Sequence, residues 1–309
     1  MSVTTYRERL SQALAFKSLD VEEPIDRYFH RPLAAALAAA LIPTGLGPNH
    51  VTLMSLLCGW TGSVALYLAF FKGWAGGLGW VAAAFFLFGA VILDCADGQL
   101  ARARGGGTRV GRILDGFVDV LVLLPAYVVM GFGIRHLFGN TWFGVAAVAG
   151  ISTWIHCIIY DKLKNLYLAH TMPQAGGGEG TETVGAVRAE LAEARERGQL
   201  LERFLLWVYL GYLQVQERLA SGSTEKRGEL QDPAAIERYR ARHRPVMRLA
   251  SWMGLGTHMF VIYSGIALMA LNSGAVLAMQ VLLATVFNLV MVVVMWRSRG
   301  FDTPVATHL

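Results

Sequence analysis

Charged side chains are scarce and unevenly spread. Asp, Glu, Lys and Arg make up 16% of the 309 residues against 54% hydrophobic, whereas an ordinary soluble domain carries about 25% charge. Cysteine is nearly absent. Cys58, Cys95 and Cys157 lie inside apolar runs without metal-ligand spacing, which argues against a disulfide framework or a zinc site and leaves packing as their role. The stretch Met1 to Glu23 carries Arg7, Arg9 and Lys17 among scattered acids but no apolar core of signal-peptide length, so no cleaved targeting segment is expected.

Apolar sequence in runs of membrane length is what the chain has in abundance. Residues 1–48 read as an N-terminal cytoplasmic and interfacial segment. In it Pro24 to Leu41, with Asp26, Arg27, His30 and Arg31 followed by alanines and leucines, suits a helix lying in the interface. Pro43 to Pro48 breaks that helix, and Asn49 can cap the next. Within residues 49–168 four spans are expected: Val51 to Phe71, Trp80 to Ala103, Val110 to about His136 with a kink at Pro125, and Trp142 to about Leu168.

Residues 169–246 are soluble in character and read as a helical cytoplasmic insertion. It comprises a Gly176-Gly177-Gly178 linker, a charged helical run from Glu182 to Gln199, a segment from Leu201 to Leu219, and a helix started by Asp232-Pro233. The run Phe204 to Leu210 is too short to span, and suits either the membrane surface or packing on the bundle. Arg238, Arg240, Arg242, Arg244 and Arg248 could meet lipid head groups, which accounts for their charge without a nucleic acid. Residues 247–297 hold a fifth span, Met247 to Leu271, and a sixth, Ala275 to Trp296, and residues 298–309 are a cytoplasmic tail. The expected fold is all-α, a polytopic membrane protein of six transmembrane helices with an N-terminal interfacial helix and the helical insertion.

One stretch breaks the apolar pattern with ionisable groups, which inside a bilayer are costly and mark a functional site by default. Asp94, Asp97, Gly98 and Ala101 recur at i, i+3, i+4 and i+7, and Gly111, Asp115 and Asp119 at i, i+4 and i+8, so each set shares one helix face. The polar, glycine-rich run Arg102 to Arg109 should be the turn of an antiparallel hairpin. Asp97 and Asp94 then lie roughly 8 to 12 Å up the first helix, and Asp115 and Asp119 roughly 9 to 15 Å up the second. Four carboxylates meeting at one depth repel unless something positive lies between them. Two divalent cations would cancel their charge, and hard oxygen ligands favour magnesium or manganese. Such a pair suits displacement at phosphorus. Gly98 and Gly111 leave room for a ligand, and Arg102 is placed to clamp a diphosphate. A buried structural ion-pair network would need about as many cations as anions, and only Arg102 and Arg112 are near.

The pattern Asp-x-x-Asp-Gly-x-x-Ala-Arg, eight residues, Gly-x-x-x-Asp-x-x-x-Asp resembles the signature of the CDP-alcohol phosphotransferase family. It is matched here at Asp94, Asp97, Gly98, Ala101, Arg102, Gly111, Asp115 and Asp119. The resemblance implies a six-helix membrane domain that transfers a phosphate-linked group from a CDP-linked donor to an alcohol with release of CMP. It further implies Asp94, Asp97 and Asp115 as metal ligands, and Asp119 as the base and itself a candidate ligand of the second metal. Pro48-Asn49-His50-Val51-Thr52 is similar to the family's start of the first span, which adds Asn49 and Thr52 to a nucleotide pocket formed with Asp94, Gly98, Ala101, Arg102 and Gly111. A plain Pro-Asn helix cap explains that stretch equally well. The acceptor side is open: His156, Lys162, His258 and Asn288 on later helices are the candidates. CDP-diacylglycerol with a small alcohol or sugar-alcohol phosphate is the first expectation. A CDP-linked choline or ethanolamine passed to diacylglycerol, and a CDP-inositol type of transfer to a soluble acceptor, are the alternatives. A homodimer is left open.

Charge placement orients this reading. With both termini cytoplasmic, only Lys72 and Arg135 of the 27 Lys and Arg fall in outward loops, as the positive-inside rule expects. The aspartates then open to the cytoplasm, from the cytoplasmic (inner) membrane if the chain is bacterial. An ion transporter would also place acids in the membrane, but its site would be expected near the midplane between internal repeats, and no convincing repeat is seen.

Overall fold

The computed structural model of the chain describes residues 5–14, 18–106, 109–172, 184–219, 232–299 and 301. Among them every regular element is a helix: α1 (Tyr6–Ala13), a π-helical turn (Asp26–His30), α2 (Arg31–Leu41), α3 (Pro48–Lys72), α4 (Gly77–Ala103), α5 (Arg109–Phe138), α6 (Asn140–Thr171), α7 (Val184–Glu196), α8 (Leu200–Leu219), α9 (Pro233–Ala250), a 3₁₀ turn (Ser251–Met253), α10 (Leu255–Leu268), α11 (Ala275–Ala284) and α12 (Val286–Arg297). Among the described residues five stretches are long and apolar enough to cross a membrane: Pro48–Lys72, Gly77–Ala103, Ile113–Phe138, Asn140–Thr171 and Ala275–Arg297.

Two compact units are distinguished, one of Met1–Lys17, Glu22–Thr153 and Leu255–Val286, the other of Ser18–Val21, Trp154–Gly254 and Phe287–Leu309. In the first, small residues let the spanning helices approach closely, which is how such helices gain packing where lipid offers no hydrophobic drive. A Cβ on Gly59 of α3 would lie 2.6 Å from Val122 of α5, and one on Gly62 would lie 3.1 Å from the Leu87 backbone of α4. Ser55 Oγ donates to the Ala90 carbonyl at 2.9 Å, and Trp60 Nε1 to that of Leu121 at 2.9 Å. Gly105 and Gly106 close the α4–α5 hairpin with φ of 100° and 108°, a region in which a side chain would strain the turn. The alanines of α2, Ala34, Ala35 and Ala38, are buried with Ala96 and Leu100 of α4, while Tyr28, Phe29 and Leu33 stay exposed. In the second unit the ends of α6 and α12 pack with α9 around Tyr160, Leu163, Tyr167, Tyr239, Met247 and Val294. Asp20 accepts from Tyr167 Oη at 3.0 Å and pairs with Arg244 Nε at 2.8 Å.

Several expectations need correction. The cap of α3 is Gly47 and not Asn49, because Pro48 takes the first helical position and His50 Nδ1 accepts from Gly47 N–H at 3.0 Å. The fifth span does not begin at Met247, which is buried within α9. The chain breaks at the Ser251–Met253 turn and extended Gly254, and α10 is only 14 residues long. The expected sixth span is present as the apolar stretch Ala275–Arg297, with a one-residue break at Thr285 between α11 and α12. In the N-terminal segment α1 was not anticipated, although Thr5 and Glu8 form a capping box, with Thr5 N–H donating to Glu8 Oε2 at 2.7 Å.

Candidate active site

α4 and α5 bring the aspartates together in the first unit. Asp94, Asp97 and Asp115 each offer a carboxylate oxygen, and those oxygens lie within 4.8 Å of one another. Asp97 is buried and the other two are half-buried. Asp119, one turn beyond Asp115, stands outside this trio but within hydrogen-bond reach of the Asp94 carboxyl, which also meets Asp115. Carboxyl groups in contact must share either a proton or a cation. The second is favoured by two orphaned atoms: Asp94 Oδ1 and Asp115 Oδ1 are buried with no hydrogen-bond partner. An all-oxygen set with unsatisfied lone pairs fits a hard divalent cation such as magnesium or manganese.

The surroundings belong to the same helices. Thr52 Oγ1 donates to Asp97 Oδ2 from α3, fixing one of its oxygens, as outer partners of metal-binding carboxylates do. The Arg102 side chain is exposed and near enough for its charge to act on Asp97 and Asp115. A Cβ on Gly98 would meet only the Arg102 guanidinium, at 3.5 Å. Packing therefore does not require glycine there, in contrast to Gly59, and a ligand approaching the backbone would. Ala101 is half-buried on the same face and Gly111 opens the α5 face. Asn49 is exposed at the start of α3.

The acceptor candidates divide between the units. His156 Nε2 and Asn288 Oδ1 lie 3.2 Å apart in the second unit, where Lys162 is also buried, and His258 is buried in the first. Two groups that the sequence reading did not offer as site residues anchor the elements around α4. Arg104, just past the end of α4, donates to the carbonyls of Leu41, Ile42, Thr44 and Leu46, the nearest at 2.7 Å, and so ties the α2–α3 loop to the end of α4. His30 is fully buried, with Nδ1 2.7 Å from Asp26 Oδ1 and Nε2 2.9 Å from Tyr263 Oη. Asp26 is close enough for its charge to act on Asp119. The Asp26–His30 spacing of four is a local helix signal, but the contact with Tyr263 has none.

Residues 46–190 match the sequence model of the CDP-alcohol phosphatidyltransferase family. Three curated relatives are each named phosphatidylinositol phosphate synthase. That of Mycobacteroides abscessus is 42% identical over 83 residues, covering 27% of this chain and 34% of its own. That of Mycolicibacterium smegmatis is 36% identical over 152 residues, covering 48% and 60%. That of Mycobacterium tuberculosis is 39% identical over 87 residues, covering 28% and 36%. The matches thus span between about a third and three fifths of the relatives' own length. Together with the apolar helices, this match makes the chain an integral membrane protein. The carboxylate trio, Asp119 and Thr52 all fall inside residues 46–190, the stretch over which the chain is similar to the CDP-alcohol phosphatidyltransferase family.

Proposed function

We propose that the chain transfers the phosphatidyl group of CDP-diacylglycerol to a sugar-alcohol phosphate, in phospholipid biosynthesis. The observation that carries this reading is the trio Asp94, Asp97 and Asp115 with its orphaned buried oxygens, inside the family-matched stretch. The relatives' names supply the product class, a phosphatidylinositol phosphate. Asp94, Asp97 and Asp115 would hold one divalent cation, and Asp119 would join them for a second. The bound cations would draw negative charge off the diphosphate. Arg102 orients that diphosphate, and open Gly98 lets it approach the backbone. The acceptor hydroxyl oxygen attacks the phosphatidyl phosphorus, and the bond from that phosphorus to the bridging oxygen breaks. CMP leaves, and the hydroxyl proton passes to Asp119. The test incubates purified protein and manganese either with CDP-diacylglycerol and a panel of alcohols and sugar-alcohol phosphates or with CDP-choline and diacylglycerol, and measures CMP. Release that depends on a phosphorylated polyol is expected. Release only from CDP-choline with diacylglycerol would overturn the choice of donor.

The same reading gives the chain six spans, the fifth being α10 with its flanking turns, an N-terminal segment lying partly in the interface, and an active site open to the cytoplasm. The distribution of Lys and Arg supports this orientation. A cysteine at Gly106 should be labelled by an impermeant maleimide from the cytoplasmic side alone, and one at Gly76 from the outer side alone. Reversed labelling would separate the aspartates from their nucleotide and sink this topology.

A further inference from the structure

We infer that α8 is an interfacial helix that rests one face on the end of α6 and lays the opposite face in the lipid bilayer. Its two faces are both apolar. Leu205, Leu206 and Leu213 are buried with Gln216 on one side. On the other, Leu200, Leu201, Phe204, Trp207 and Val215 are exposed, Leu200 at 76% and Trp207 at 63%. Helical spacing gathers the exposed five into one stripe, with Arg203 at its edge and Arg218 at its C-terminal end. An apolar face of this size does not stay in water unless something covers it.

The occupant follows from where α8 is attached. Tyr212 Oη donates to Asp161 Oδ2 at 2.9 Å, and Gln216 Nε2 reaches the same oxygen at 3.3 Å. Burial and the negative charge of Asp161 push the Tyr212 phenol well above its usual pKa, so it remains a donor. Asp161 is the first formally charged residue of α6 after Asn140 to Tyr160. Those residues rise about 31 Å, which matches a hydrocarbon core of ~30 Å. Asp161 therefore marks the membrane boundary, and α8, hung on it, lies at head-group depth. Lys164, paired with Asp161 at 3.3 Å, stands at the same level. Trp207 has the amphipathic ring enriched at such depths. Arg203 and Arg218 can extend their charged ends to anionic head groups while their stems stay over the apolar stripe.

The test replaces Phe204 or Trp207 with photoreactive benzoylphenylalanine in the full chain, reconstituted in vesicles of phosphatidylcholine and phosphatidylglycerol. Adducts are identified by mass spectrometry, with Glu193, exposed on α7, as the comparison site. Both residues are exposed, so folding is not at stake, and the readout does not depend on turnover or on the proposed reaction. Phospholipid adducts at 204 and 207 several-fold above those at 193 are expected. As a second measure, Trp207→Phe should remove part of the fluorescence quenching caused by brominated lipid. Crosslinks to a second copy of the chain, or lipid adducts no more frequent than at 193, would overturn the assignment. Quenching unchanged by Trp207→Phe would do the same.

Discussion

Asp119→Asn is expected to lose about 10² to 10⁴ in turnover, the usual cost of removing a general base, while holding the CDP-linked donor to within about tenfold, or ~1.4 kcal/mol. The reasoning is geometric. Asp94, Asp97 and Asp115 form the compact trio without Asp119, so its amide replacement leaves the main cation site with its oxygens. An alcohol is a poor nucleophile unless its proton can leave as the bond to phosphorus forms. The asparagine is close to the same size, and it cannot take that proton. Donor binding is measured by calorimetry and turnover by CMP release. Near-normal turnover would place the base elsewhere, with His156 the next residue to test. Loss of donor binding in step with turnover would instead make Asp119 chiefly a ligand.

Complete loss of turnover is expected when divalent cations are removed by excess chelator, with recovery on adding magnesium or manganese. Asp94→Asn, Asp97→Asn and Asp115→Asn should each weaken manganese binding by more than the roughly 10- to 100-fold that outer partners of such sites typically contribute. Each substitution removes an anionic oxygen from a cluster in which two oxygens already lack any protein donor. Full activity in excess chelator, or unchanged manganese affinity in all three variants, would dissolve the cation reading.

The aspartates were legible because a bilayer makes ionisable groups conspicuous, and because spacings of three and four on two helices leave only one way for them to meet. What the sequence left unread involves long separations or backbone detail. Tyr263 reaches His30, and Thr257 N–H donates to Glu23 Oε2 at 2.9 Å, each across more than two hundred positions without a local sign. His156 and Asn288 were singled out separately, each as a polar residue in an apolar helix, and nothing local foretold their contact. The early start of α3 was misread because Asn is a good cap, whereas Pro48 shifts the cap back to Gly47. Hydropathy also ran α9 and α10 together, since Met247 to Leu271 is predominantly apolar, with Arg248 near its start, and the 3₁₀ turn that divides it leaves no mark on an average.

With α10 as the proposed fifth span, its shortness would make membrane thickness a variable of this protein. Leu255 to Leu271, the helix with its closing turn, rises about 26 Å against a hydrocarbon core of ~30 Å. The start of α10 tolerates this because Glu23 satisfies Thr257 N–H and because Gly256, Thr257 and His258 are buried in protein. Lipid alongside such a span would thin to meet it, at a cost of fractions of a kcal/mol for each ångström of mismatch. Bilayers of shorter acyl chains relieve that cost. On that reading acyl length would act on this chain twice, once in the lipid donor proposed for it and once in the lipid that surrounds it.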